Sequence, residues 1–214
     1  MTRLVALLVV AVALLVSPAE AHRLAASNRP PPAGIPISSL THGQMAVIAR
    51  NLSAIWALAD AQIESDLTLR RLQDYVSLQS FACLWGLVPG SLTDEASPFN
   101  ECAHAYLAGA RALLLHLRDM PRADHAAVSA LVGKIEDEML VNDASLVLCR
   151  FSDEAFNTDE IVWPLWRDLL VHPPSLATFT ALVLVAGALG GLGVRRSRSS
   201  RGDVPEKSHL ILPQ

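Results

Sequence analysis

PSLATFTALVLVAGALGGLGV, residues 174–194, runs for 21 residues without a charge, and Arg195, Arg196, Arg198 and Arg201 follow it. A helix needs about 20 mostly apolar residues to cross ~30 Å of hydrocarbon. In lipid it also satisfies every backbone amide internally. Pro173 and Pro174 stand where a helix start tolerates a missing N–H. The arginines place the tail on the cytoplasmic side by the positive-inside rule. Trp163 and Trp166 lie about ten residues earlier, where interfacial aromatics are expected. The stretch therefore predicts a transmembrane helix at 174–194 and a basic cytoplasmic tail at 195–214. Gly187 with Gly191, and Ala186 with Gly190, have the four-residue spacing of small residues that lets two such helices approach closely.

The charge distribution agrees with that topology. Residues 22–173 hold 18 acidic and 11 basic side chains, and the tail holds five basic and two acidic. No basic, aromatic-laced patch appears, which argues against nucleic acid as a partner. Residues 1–21 read as a signal peptide: Arg3, an apolar run from Leu4 to Val16, then Ala19-Glu20-Ala21 as a small-x-small cleavage site. Only two of the 17 basic residues are lysine, a bias common in GC-rich bacterial genomes. The predicted location is a bacterial inner membrane, with most of the chain periplasmic. Residues 22–39 contain Pro30-Pro31-Pro32 and no apolar period, and predict a linker or disordered lead-in.

The body, residues 40–155, reads as all-α. Thr41 and Gln44 have capping-box spacing, Leu40 and Met45 staple spacing. Apolar residues then recur at Met45, Ile48, Leu52, Ile55 and Trp56, one face of a helix. A turn near Glu64–Asp66 leads to a second helix ending about Trp85, although a single helix of some 45 residues fits the same pattern. Ser97-Pro98 predicts the cap and first turn of a third helix, running to about Asp119. A fourth follows Pro121, and its stripe of Val128, Leu131, Ile135, Met139, Asn142, Leu146 and Cys149 carries it to about Phe151. Four amphipathic helices with short corners predict an antiparallel up-down bundle. The first and third are poor in charge, so they are central or bury against a partner. Residues 156–173 predict an interfacial segment or a fifth packing helix, bent or delayed by Pro164.

Three cysteines are the most specific local feature. Helix direction brings Cys83, Cys102 and Cys149 to one end of such a bundle. In a secreted domain this predicts one disulfide. Cys83–Cys102 is the favoured pair, closing a loop of about 20 residues worth roughly 3 kcal/mol on the chain-entropy model, and Cys102–Cys149 is second. The third thiol is expected to fill apolar space. A Cys₃His metal site would take His104 as fourth ligand. His104, however, lies about 200° round the helix from Cys102, on the face of Arg111 and Arg118, which reads as solvated. Glu101 to His104 gives one Glu-x-x-His and no second copy. Glu136, Asp137 and Glu138 point three ways from a helix. His42, His116 and His125 are scattered, and no Ser-His-Asp pattern shows. No cofactor, metal ligand or catalytic residue is expected.

The order His172-Pro173-Pro174, apolar span, arginines resembles the C-terminal sorting signals processed by exosortases. It lacks their Pro-Glu-Pro motif and continues for 20 residues past Val194. The expected function is a non-catalytic adaptor, accessory subunit or binding module, in contact with membrane lipid and with a protein partner or second copy. The alternative is a helical bundle holding a small ligand or metal in its core.

Overall fold

The structure, a computed structural model, describes residues 33–62, 66–121 and 124–201, with side chains as far as residue 190. The expected signal peptide, the start of the lead-in and the end of the tail lie outside the described residues. The described chain is mostly helical: α1 (His42–Asp60), α2 (Leu67–Ala82), α3 (Asn100–Asp119), α4 (His125–Val141) and an apolar C-terminal α5 (Pro173–Arg201). The one sheet among the described residues is a two-residue antiparallel ladder, β1 (Pro36–Ile37) against β2 (Phe156–Asn157).

Local chemistry sets the boundaries. Thr41 caps α1 with both halves of the capping box present. Leu40 and Met45 are fully buried beside it. α1 ends at Asp60 and Asp66 caps α2 by accepting from the Leu69 amide, so the two helices are separate. α3 begins at Asn100, not at Pro98: the Pro98 carbonyl accepts from the Leu165 amide and is spent outside the helix. The core forms where α3 packs against α1, α2 and α4. Every α3 residue from Cys102 to Ala110 is buried, as its poverty of charge predicts. At the α2–α3 crossing, Gly109 matters: a Cβ there would lie 2.8 Å from the Tyr75 ring.

Two sequence expectations need correction. The fourth helix stops at Val141, ten residues early. The Asn142 side-chain amide donates back to the Glu138 carbonyl at 2.6 Å, and Asp143 turns into the left-handed region at φ 46°. The chain then folds onto α1, where Thr41 Oγ1 donates to the Ala144 carbonyl at 2.7 Å and the Gly43 amide to that of Val147 at 3.0 Å. Leu146 is left 76% exposed, and Cys149 sits in irregular chain rather than on a helix. The second correction concerns the lead-in. From Ile35 onward it is docked: Ile37 and Leu40 are buried, and the Thr158 amide donates to the Ile35 carbonyl.

The segment before α5 forms a 3₁₀ turn, Trp166–Val171, starting just after Pro164. α5 continues through the arginines to Arg201, beyond the 174–194 limits read from hydropathy.

Candidate functional site

Two constellations stand out, and the first lies where the body meets its C-terminal helix. The first is a joint. Phe99, fully buried at the start of α3, stacks on Phe179 of α5 with ring centres 5.8 Å apart, and Trp166 meets both rings edge-on. Beneath them Cys83 and Cys102 are brought together, sulfur against sulfur, with Cα atoms 5.5 Å apart. Both are buried with Val88 and Phe99. Gln79, fully buried, exchanges two hydrogen bonds with the Val162 backbone and ties the approach chain to α2.

His172 completes the joint. Its Nδ1 lies 2.8 Å from Ser175 Oγ and accepts from the Ser175 amide at 3.3 Å, while Nε2 lies 2.9 Å from Asp94 Oδ2. The hydrogen bond to His172 is the main force holding the Asp94 carboxyl below its ordinary range. These are the residue types of a hydrolytic triad, assembled from chain positions whose order gave no signal. The geometry is that of a helix cap instead. His172 precedes the first turn of α5, and its ring takes the free N–H of the third helical residue. Ser175 is 1% exposed, so no substrate carbonyl can reach its hydroxyl.

The second constellation joins three stretches of chain. His42 opens α1, His104 sits in the second turn of α3, and Cys149 lies on the irregular segment after α4. One donor atom from each lies within 4.8 Å of the others. His104 Nε2 is 3.5 Å from Cys149 Sγ, and the two imidazole centres are 5.6 Å apart. His104 is fully buried, against the expectation of a solvated face. The segment after α4 covers it, with Phe151 edge-on to its ring at 6.0 Å. Burial, then the neighbouring His42, push the His104 imidazole down to about 4, while a hydrogen bond to the Phe151 backbone works the other way. His104 is therefore neutral near pH 7. His42 Nδ1 is buried and has no hydrogen-bond partner among the described residues.

Ser152 braces this cluster. Its hydroxyl accepts from the Cys149 amide at 2.8 Å and the His42 amide at 3.2 Å, and donates to Cys149 Sγ at 3.6 Å. Gly43 permits the close approach, since a Cβ there would come within 2.9 Å of Ala144 Cα. Cys149 thus has polar neighbours and is not the apolar filler expected from sequence. The spacing of these residues could not reveal the grouping, because the helix drawn through Leu146 and Cys149 does not form. No family model matches the chain, and no curated protein or solved structure is found to be similar to it.

Proposed function

We propose that this chain is a membrane-anchored, extracytoplasmic helical module acting as a non-catalytic adaptor, accessory subunit or binding module. One observation carries the reading: α5 is long and apolar, and only 6% of its Pro173–Gly190 window is buried against the body. Leu182, Val183, Leu184, Val185 and Leu189 all stand open. Burying such a surface in lipid is favourable at about 25 cal/mol per Å². The arginines at its far end favour a cytoplasmic tail.

The body suits this role as an antiparallel four-helix bundle. The Cys83–Cys102 pair sets the end of α2 at the start of α3, and the Gly43–Val147 bond sets the start of α1 beside the chain leaving α4. That end carries exposed Phe81, Leu87, Val141, Leu146, Trp163 and Val171, as a surface resting on headgroups or on a membrane partner would. The opposite end carries Asp66, His116, Arg118, Asp119 and Asp124, with Leu67 its one large exposed apolar side chain among the described residues. A Cys83–Cys102 disulfide fits an oxidising compartment. Gly187 and Gly190 are open, leaving room for a neighbouring helix or second copy.

The test is extraction and topology in the cell. Membranes washed with alkaline carbonate should retain the full chain, and a cysteine introduced at Ser208 should resist an impermeant maleimide until the inner membrane is opened. Recovery of the intact chain in the wash, or immediate labelling at position 208, overturns the reading. In unreduced, denatured protein, one native thiol should react and two should not.

A further inference from the structure

We propose that His42, His104 and Cys149 form a binding site for one zinc-class transition-metal ion, with a fourth position left open. The site is independent of the membrane anchoring argued above. Two imidazoles and a thiolate are the donor set that zinc prefers, and a set without carboxylates disfavours magnesium and calcium.

The geometry is close to a finished site. A tetrahedral ion with bonds of about 2.0–2.1 Å to nitrogen and 2.3 Å to sulfur sets those two donors roughly 3.6 Å apart. His104 Nε2 and Cys149 Sγ already stand at 3.5 Å. The third donor, on His42, falls within the same 4.8 Å cluster, so a small closure of one half-buried ring completes the set. Nδ1 of that ring is buried without a partner among the described residues, which costs about 1–3 kcal/mol unless something takes it. An ion within reach of the ring takes a lone pair from it.

The surroundings are those of ligands held in place. The Phe151 ring, edge-on to His104 at 6.0 Å, packs the imidazole in place. Ser152 fixes the Cys149 and His42 backbones with one hydroxyl, and that hydroxyl also donates to the sulfur. Binding converts the Cys149 thiol to thiolate, and its proton passes to buffer. Three protein ligands leave the fourth position to water or to a donor from a partner, as in zinc sites that exchange ligands.

The test uses the full chain in detergent micelles, stripped with a chelator and titrated with cobalt(II), a coloured substitute for zinc. One equivalent should bind, giving the intense visible bands of a tetrahedral ion and a near-ultraviolet thiolate charge-transfer band. One equivalent of zinc(II) should abolish both. Cys149→Ser should remove the charge-transfer band, and His42→Ala should weaken cobalt binding at least about tenfold. Both variants should keep the far-ultraviolet dichroism of the parent. Absence of a stoichiometric cobalt complex, a charge-transfer band that survives Cys149→Ser, or binding of copper(I) with neither cobalt nor zinc overturns the assignment.

Discussion

His172 and His104 are both buried, yet their surroundings differ in kind. Both nitrogens of His172 meet oxygen-bearing partners, Ser175 on one side and Asp94 on the other. Both nitrogens of His104 face the Cys149 sulfur, at 3.5 and 4.0 Å, and the nearest neighbouring ring, His42, holds a buried nitrogen with no partner among the described residues. A buried polar atom is costly unless bonded. The first ring is thus complete as it stands and acts as a structural clamp. The second group is incomplete, and incompleteness of that kind marks a place where something binds.

The largest expected effect tests the clamp. Phe99→Ala empties the centre of the Phe99–Trp166–Phe179 cluster and should cost about 3–5 kcal/mol in denaturant unfolding. Next comes the binding group. Zinc at 100 times its dissociation constant should raise stability by about 2.7 kcal/mol. His172→Ala should gain the same increment, and Cys149→Ser none. If the metal protects both variants equally, the two histidine environments do not differ as argued.

A pair of substitutions sharpens the contrast. His172→Ala strands the buried Ser175 hydroxyl and should cost about 1–3 kcal/mol, with cobalt affinity unchanged. Gly43→Ala forces the Ala144 backbone away from α1 and should cost a similar 1–3 kcal/mol. It should also weaken cobalt binding, because Cys149 moves with that segment. The smallest effect is acid sensitivity. The folded-state value of Asp94 is depressed, so its contribution is present above the ordinary carboxylate value of 3.8 and is lost as pH falls through the lower folded one. Asp94→Asn should flatten the acid limb of the stability curve below about pH 4. The shift should be slight, since the side chain is 41% exposed and screened.

Much of the helical plan was legible from residues that act locally. Thr41 with Gln44 announced α1, and the poverty of charge along the third helix announced one that is central or buried against a partner. The apolar helix declared itself by length. The binding group was hidden for a nonlocal reason. Its third member depends on α4 ending at Val141, and the apolar stripe through Leu146 and Cys149 continues past that point as if the helix did too. What ends α4 is the Asn142 side chain returning to its own backbone, together with a docking site on α1 that only Gly43 leaves open. The joint was hidden likewise, because Asp94 and His172 lie 78 residues apart.

The ladder of Pro36–Ile37 with Phe156–Asn157 has a mechanical consequence. Its strands are antiparallel, so the incoming chain at Ala33 and the outgoing chain at Glu160 leave it side by side. Opposed pulls at Ala33 and Glu160 therefore peel the ladder one bond after another, instead of shearing all its bonds together. The clasp opens before load reaches the helices, and a tug on the lead-in is absorbed as slack.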